Sequence, residues 1–490
     1  MTVQARNQEV TSVVTKNESF ILKKKNYPNF RAPFAERWVI LVLGDALIVM
    51  LAVFGAFLLW HQIANPSLDV TIYIRDYWYW FPFLMGGWWV LAGLNDLYYI
   101  PASFDKMTSA IRVAVVGIIN LAIYLAVFFL IPNNIPREFF LVFLIIVWPG
   151  ITLWRWGYAA LFSRFEHRVL IVGQGERGQS VVKILKQASK LNYQVLGYVD
   201  DNLTRSRAVD DGLPVLGHEA DLPDLVRHLQ IHEVVVAIER SLRKKLFESL
   251  VECQANGVRV SLMSDIYRNL YRKIPVEYID PGWALYEIQN RLVFNRLNLA
   301  LKRLLDLALA LVALPVLAPL VPLIALAVKL DSHGPIFYHQ IRCGRAGRPF
   351  SIIKFRTMVA DAEKDGKPQW ATKNDLRITR VGRFLRKSRL DELPQLINVL
   401  RGDMSIIGPR PERPEFIEEL QQEIRFYRTR LMVKPGLTGW AQIQYNYGNS
   451  VEDALIKLQY DFYYLRYWSL WLDLYIVFRT VGVVLKFKGT

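Results

Sequence analysis

The sequence predicts a membrane protein in three parts: a bundle of four transmembrane helices, a parallel α/β module, and a monotopic C-terminal α/β domain carrying a re-entrant helical hairpin. Three observations predict it. Apolar stretches at 37–60, 77–94, 110–131 and 138–162 each approach the roughly 20 residues that a spanning helix needs. Gly173, Gly175 and Gly178 punctuate the junction of a strand pattern and a helix pattern. A fifth apolar run, 304–330, is interrupted by Pro315, Pro319 and Pro322. At 490 residues the chain is long enough for several separate cores.

Composition narrows the class. Hydrophobic residues make up 52% of the chain, with 14 Trp, 23 Tyr and 26 Phe, a supply that suits side chains at a bilayer interface. The net charge of +16 fits nucleic acid, anionic lipid or phosphorylated substrates, and only the placement of the charges separates these. Cys253 and Cys343 are far apart and lack metal spacing, so neither a disulfide framework nor a zinc site is supported. Residues 1–36 are polar, with Lys23, Lys24 and Lys25 ahead of the first apolar run; they read as a cytoplasmic tail rather than a cleaved signal.

The span region is 37–162. Arg31, Arg37, Lys106, Arg112, Arg155, Arg164 and Arg168 mark one side and Arg75 and Arg137 the other, so the positive-inside rule places both ends of the bundle in the cytoplasm.

Residues 163–290 follow as a Rossmann-like module. "HRVLIVGQGERGQSVVKILKQ" is a strand, the three glycines and a helix, and "YQVLGYVDD" is a second strand ending at Asp200, about the 20 residues past the glycines that a dinucleotide fingerprint asks for. "EVVVAIE" and "VRVSLM" extend the parallel sheet. Gly173, Gly175, Gly178 and Asp200 are a candidate nucleotide loop; glycines also permit tight strand-to-helix packing, so a structural or regulatory role stands beside it.

In the run 304–330 each proline removes a backbone donor, so a straight helix is not expected. Arg296, Lys302 and Arg303 precede it and Lys329, Arg342 and Arg345 follow, which favours return to the cytoplasmic face over a fifth span. The final run, 460–487, mixes Tyr463, Tyr464, Trp468 and Trp471 with Asp473, Arg479 and Lys486, with Lys488 just beyond, as in a helix lying in the headgroup layer or in a domain core.

The chemistry lies between. Lys354 and Arg356 alternate on a probable strand and so share a face, and a basic helix with Arg380, Arg383 and Lys387 along one side follows. Asp391 and Glu392 stand before Pro394, at the expected start of a helix, where the macrodipole favours anions. Capping needs one carboxylate, and adjacent side chains project differently, so two jobs are open: attack on phosphorus, and holding a metal ion. "SIIGPRPE" holds Arg410 between Pro409 and Pro411 as a candidate phosphate clamp. Arginine and lysine groups suit phosphate oxygens and would gather a polyanionic substrate, and cations beside a carboxylate help keep it ionised.

Residues 300–490 closely resemble the bacterial sugar transferases that move a sugar 1-phosphate from a UDP-sugar to a polyprenyl phosphate. The motifs that carry the resemblance are "KRLLDL", "DSHGPIFYHQIRCGRAG", "KFRTM", "RITRVGRFLRKSRLDELPQLINVLRGDMSIIGPRP" and "KPGLTGW". With the four-span bundle and Rossmann-like module, nearly the whole chain resembles the large branch, the undecaprenyl-phosphate galactose or glucose phosphotransferases. The resemblance implies a catalytic domain at 296–490 on the cytoplasmic face of a bacterial inner membrane. It also implies Mg2+ held by Glu392 and Asp391, UDP-sugar and undecaprenyl phosphate as substrates, and the first membrane step of exopolysaccharide, capsule or O-antigen synthesis. Carried onto this chain, Asp391 attacks the β-phosphate and expels UMP, Glu392 assists at the metal, and Lys354, Arg356, Arg386, Arg410 and Pro409 belong to the substrate-binding motifs. The family commonly breaks its hairpin at Ser-Pro; here the hinge reads Ala318-Pro319. Membrane lipid is an expected partner and nucleic acid is not; the sugar and the oligomeric state, a homodimer included, are left open.

Two rivals remain. A membrane-anchored NAD-dependent dehydratase or epimerase acting on nucleotide sugars would use a Tyr-x-x-x-Lys pair, a spacing this sequence lacks. A nucleotide-regulated scaffold or channel leaves the acidic pair unexplained.

Overall fold

Lipid offers backbone groups no partners, so an apolar stretch that enters it must satisfy its own N–H and C=O groups, as a helix does. The computed structural model describes residues 34–64, 78–130, 137–162, 166–188, 192–201, 212–238, 242–279, 295–359, 375–445 and 450–485, with positions 75, 282, 362 and 448. The expected tail, save its last three residues, the expected module end at 290, and Lys486 and Lys488 lie outside the described residues. The chain divides into two units, 1–266 and 267–490.

In the first unit, helices α1 (Phe34–Ala64), α2 (Trp80–Leu94), α3 (Ile100–Ser103), α4 (Lys106–Leu130) and α5 (Arg137–Phe162) occupy the span region. Among the described residues α1, α4 and α5 are long and apolar enough to cross a bilayer. The second expected span is shorter: α2 has 15 residues, about 22 Å at 1.5 Å per residue, against a hydrocarbon core of about 30 Å. Its end is a built stop. Asp96 takes a left-handed conformation, φ 57°, and Leu97 N–H and Asp96 N–H return to the carbonyls of Ala92 and Gly93. Arg112 and Arg155 donate to the carbonyls just beyond, of Asp96 and Leu97, at 2.6 and 2.7 Å. Arg155 also pairs with Asp45, and both are buried, each charge neutralising the other.

The module is a five-stranded parallel sheet in the order β3-β2-β1-β4-β5. Its strands are β1 (His167–Val172), β2 (Tyr193–Val199), β3 (Val215–Gly217), β4 (Glu233–Val236) and β5 (Arg259–Leu262), with helices α6 (Glu176–Gln187), α7 (Leu222–His228) and α8 (Lys244–Ala255) between them. Leu170, Val172, Val199, Val234, Leu225 and Leu250 fill one core. The strand order starts at β1 and runs outward both ways, as in a Rossmann-like half. Gly173 has φ +103°, a conformation that side chains avoid, and a Cβ on Gly178 would lie 2.0 Å from the Gly173 carbonyl oxygen. Gly175 is the extended residue that opens α6. The Asp200 carboxylate accepts the Gln174 N–H at 2.9 Å, so the acidic residue of the fingerprint is tied to the loop itself. Packing therefore demands the glycine at 178. Gly178→Ala is expected to cost about 1–3 kcal/mol, the usual scale of overpacking, as a lowered midpoint in thermal unfolding; an unchanged midpoint would contradict this contact.

The second unit begins inside helix α9 (Met263–Tyr271). Ile274, Val276 and Ile279 share a core with Leu420, Tyr427, Leu458 and Phe462. The segment 267–279, expected in the module, thus packs with the C-terminal domain. Helices α10 (Arg296–Leu317) and α11 (Leu320–Asp331) form the hairpin run, bent by 69°. The break lies between Pro315 and Leu320, a stretch that contains the expected Ala318 and Pro319, while Pro315 and Pro322 lie within the two helices. Pro319 lacks the N–H that would continue the ladder. Leu304, Leu311, Val312, Leu323 and Leu326 point outward. The polar end of α10 is anchored inward: Lys302 pairs with Asp473 at 2.8 Å, and Asp306 accepts from Ser405 Oγ and Ile406 N–H at 2.8 and 2.9 Å.

Strands β6 (Phe337–Cys343) and β7 (Pro349–Phe355) pair antiparallel, followed by helices α12 (Arg380–Ser388) and α13 (Gln395–Arg401). Strand β8 (Ser405–Ile407) pairs in parallel with β9 (Gly436–Thr438), and helices α14 (Pro414–Glu423), α15 (Trp440–Gln444), α16 (Val451–Tyr467) and α17 (Leu470–Leu485) complete the unit. Helix α17 combines the two readings of its sequence: Asp473, Tyr475 and Ile476 are buried, while Trp471, Leu474 and Val481 face outward.

Candidate active site

Arg389 breaks the basic helix. Its φ of 57° ends α12 and starts a 3-10 turn, Leu390–Glu392, that delivers Asp391 and Glu392 side by side before α13. A left-handed arginine is an uncommon conformation, and here it sits beside the acidic pair. Pro394 precedes α13 as expected, but neither carboxylate caps that helix; Glu392 turns elsewhere.

Helix α13 is fixed at both ends of its buried face. Asn398 donates to the Ser351 carbonyl at 2.8 Å and accepts the Ile353 N–H at 3.1 Å, tying the helix to β7. Arg303 donates to the last carbonyls, Val399 and Leu400, at 2.6 and 2.7 Å, where the helix dipole favours a cation.

Buried Glu392 accepts at Oε1 from the half-buried Lys354 Nζ at 2.9 Å and Arg410 Nη2 at 2.8 Å. Burial acts to raise the Glu392 pKa, but Arg410 and Lys354 outweigh it and hold the group well below the usual carboxylate range. Asp391 is buried too and forms no hydrogen bond or ion pair with any described residue. Burial first, and then the neighbouring Glu392 charge, push its pKa up to about 6, against the opposing pull of Lys354, Arg386 and Arg410. Lys354, Arg386 and Arg410 do act to keep Asp391 ionised, as expected, but burial and Glu392 outweigh them, and two of the three cations are committed to its neighbour.

Arg410 owes its position to the backbone around it. The carbonyls of Pro409, Arg410, Pro411 and Glu412 accept, in turn, from Gly436 N–H, Arg430 Nη2, Arg342 Nη1 and Cys343 N–H, at 2.9, 3.1, 3.2 and 2.9 Å. The approach is close enough that a Cβ on Gly408 would meet the Lys434 carbonyl oxygen at 2.5 Å. Arg430 is itself buried, on Asp461 at 3.0 Å and the Tyr427 hydroxyl at 2.7 Å. Arg342 was read only as a hairpin flank and Arg430 not at all, because a buried arginine in a basic chain carries no local signal.

Arg386 donates from Nε to Thr357 Oγ1 at 2.9 Å. Arg356 parts company with Lys354. Strand β7 ends at Phe355, and the buried Arg356 guanidinium donates to the carbonyls of Ser332 and His333, at 2.7 and 3.0 Å, at the C-terminal end of α11. Its guanidinium therefore holds the end of α11, because the strand alternation that predicted a face shared with Lys354 has stopped.

Among the described residues no group of three or more His, Cys, Asp or Glu side chains is arranged to hold a metal ion. Mg2+, however, is commonly bound by one or two carboxylates together with substrate phosphates. Asp391 and Glu392 Oε2, which accepts no hydrogen bond from a described residue, are compatible with that smaller donor set.

Comparison with known proteins locates this site in a recognised region. The family described as Bacterial sugar transferase matches residues 297–487, and a CoA-binding domain family matches 94–264. The chain is 40% identical over 241 residues to a UDP-N-acetylgalactosamine-undecaprenyl-phosphate N-acetylgalactosaminephosphotransferase of Aeromonas hydrophila, covering 49% of this chain and 55% of that one. It is 36% identical over 324 residues to a UDP-glucose:undecaprenyl-phosphate glucose-1-phosphate transferase of Xanthomonas campestris pv. campestris, covering 66% and 67%. It is 31% identical over 345 residues to an undecaprenyl-phosphate galactose phosphotransferase of Salmonella typhimurium, covering 66% and 69%. The match thus spans little more than half of the first relative and just over two thirds of the other two.

Proposed function

Because the chain belongs to the polyprenyl-phosphate sugar-1-phosphate transferase family and is a phosphoglycosyl transferase, we propose that it moves a sugar 1-phosphate from a UDP-sugar to undecaprenyl phosphate through an aspartyl intermediate. One observation carries the mechanism: two adjacent buried carboxylates have opposite fates, Glu392 held by two cations and Asp391 with no partner among the described residues. A carboxylate without hydrogen bonds in a buried site is a stronger nucleophile than one that is paired.

Asp391 attacks the β-phosphorus of the UDP-sugar. The bond from its carboxylate oxygen to phosphorus forms as the bond to the oxygen bridging the two phosphates breaks, and UMP leaves with that electron pair. An oxygen of undecaprenyl phosphate then attacks the same phosphorus and the aspartyl bond breaks, giving the lipid diphosphate sugar and regenerating Asp391. Lys354 and Arg410, oriented by Glu392, face the substrate phosphates, and Arg386 extends the cationic side. Asp391 and Glu392 would hold Mg2+, which when bound neutralises diphosphate charge.

We assign the broken hairpin, with its outward leucines and basic flanks, to entry and exit through the cytoplasmic face of a bacterial inner membrane. The four apolar segments of the first unit form its anchor, α2 short, and the product enters the first membrane step of a surface polysaccharide.

Purified protein with undecaprenyl phosphate and Mg2+ should release UMP from at least one of UDP-glucose, UDP-galactose and UDP-N-acetylgalactosamine. The rate should fall as pH drops through about 6, because the raised Asp391 pKa leaves the group protonated below that. NAD-dependent conversion of the sugar without UMP release would contradict the assignment.

A further inference from the structure

Helix α12 carries a stripe of side chains that the mechanism above does not use. At about 100° per residue, Arg380, Arg383, Phe384 and Lys387 fall within roughly a third of the helix circumference, and all four are exposed. Phe384 keeps 57% of its surface open. Arg380, Arg383 and Lys387 form no side-chain hydrogen bond or ion pair with any described residue, and the helix contains no acid. Arg386 stands outside the stripe, bonded to Thr357. This composition works against the helix. Arg380 and Arg383, and Arg383 and Lys387, are three and four residues apart, so like charges face each other on successive turns. Arg380 also opens the helix, where the macrodipole favours anions. A solvated face mixes both signs of charge; an anionic surface would offset both costs here.

The inner face of α12 fixes where such a surface would lie. Val381 and Leu385 share a core with Ile324 and Val328 of α11. The carboxylate of Asp331, the last residue of α11, accepts the Val381 N–H at 2.9 Å, so the start of α12 is bonded to the end of the hairpin. Leu330, one residue earlier, is apolar and 79% exposed, and Leu323 and Leu326 continue that outward face. Lipid that covers Leu330 therefore reaches the level at which α12 begins.

We infer that α12 is an anionic-lipid contact, in which Arg380, Arg383 and Lys387 bind phosphate oxygens of acidic phospholipids and Phe384 lies among their headgroups. The inference rests on the reading of α10 and α11 as a re-entrant hairpin. Arginine forks and lysine ammonium groups match phosphate oxygens, and an aromatic ring suits the bilayer interface. Each cation at an acidic leaflet typically favours contact about fivefold. Helix α12 ends at Arg389, whose left-handed turn leads directly into Asp391 and Glu392. The lipid contact and the acidic pair thus belong to one continuous stretch, which sets the pair against the leaflet from which a lipid acceptor arrives.

The test reads lipid contact on the full-length protein in nanodiscs that mix phosphatidylcholine with phosphatidylglycerol. A fluorophore is attached at Phe384→Cys, Cys253 and Cys343 being buried, and in a second protein at Leu326→Cys, on the outward face of α11. A nitroxide quencher is carried on the upper acyl chain of one lipid class at a time, at equal mole fraction. The probe at 384 should be quenched at least about fivefold more strongly by phosphatidylglycerol than by phosphatidylcholine, the preference that one such cation supplies. Combining Arg380→Gln, Arg383→Gln and Lys387→Gln should bring the two lipids to parity, with an unchanged or raised melting temperature because like-charge pairs are removed. Salt at about 1 M should do the same without any change to the three cations, since it shortens the screening length to about 3 Å. A 384 probe quenched by neither lipid, or equally by both at low salt, would overturn the inference, as would a preference that survives the triple substitution or high salt. A Leu326 probe that neither lipid quenches would instead overturn the hairpin reading, and this inference with it.

Discussion

Asp391→Asn is expected to lower turnover by on the order of 10³-fold or more and to abolish exchange of labelled UMP into UDP-sugar when no lipid acceptor is present. Exchange requires that UMP leave and return, which in turn requires something to hold the phosphosugar meanwhile. Asn is nearly the same size and shape, so the loss would be chemical. The same substitution should stabilise the protein. Asp391 is buried without a partner among the described residues, and its pKa is raised first by burial and then by Glu392, so at pH 8 the native state holds a charge that the unfolded chain would solvate. Asn removes that penalty, and the gain should shrink as pH falls from about 6 toward the ordinary aspartate value, because wild-type Asp391 then takes up its proton. A variant that is inactive and also less stable at pH 8 would mean that Asp391 has a structural partner.

Glu392→Gln should give the second largest loss. Removing one partner of a buried pair typically costs about 3–5 kcal/mol. The cost here should be smaller, because the Lys354 and Arg410 side chains keep 18% and 29% of their surface exposed. The loss of activity should be on the order of 10²-fold, as two cations lose the anchor that orients them to phosphate. The sharper readout is pH. Without the Glu392 charge one cause of the raised Asp391 pKa disappears and two cations are freed to face it, so the acid limb of the rate should move below about 6. An unmoved limb would mean that the titrating group is not Asp391.

The parts of this account that were legible in the sequence are those where one residue type has one physical consequence. The proline-rich apolar run foretold a break, because proline weakens a helix ladder, and the run bends by 69° between Pro315 and Leu320, around Pro319, while Pro315 and Pro322 are accommodated inside the two helices. Gly173 and Gly178 foretold the strand–turn–helix packing of the module. Asp391 and Glu392 stood out because acids are conspicuous among arginines. What stayed hidden depends on burial. Arg356 looked like a twin of Lys354 until the strand ended one residue before it, and nothing local says that Arg430 is enclosed while Arg383 is exposed. Gln395 and Asn398 carry similar amides on one short helix, yet one is bonded at both ends and the other has an orphaned donor. The signal that might have found them was a polar residue at core spacing in "LPQLINVL", which marks burial but not purpose.

The most direct measurement mixes the full-length enzyme with its UDP-sugar and Mg2+ in the absence of undecaprenyl phosphate, quenches, digests, and maps any added mass by tandem mass spectrometry. The account predicts an adduct with the mass of the phosphosugar of the UDP-sugar used, on the peptide carrying Asp391, localised to that side chain, absent from Asp391→Asn and discharged when undecaprenyl phosphate is added before the quench. An enzyme that turns over with lipid but carries no adduct under these conditions, or one whose adduct sits on Glu392, would contradict it.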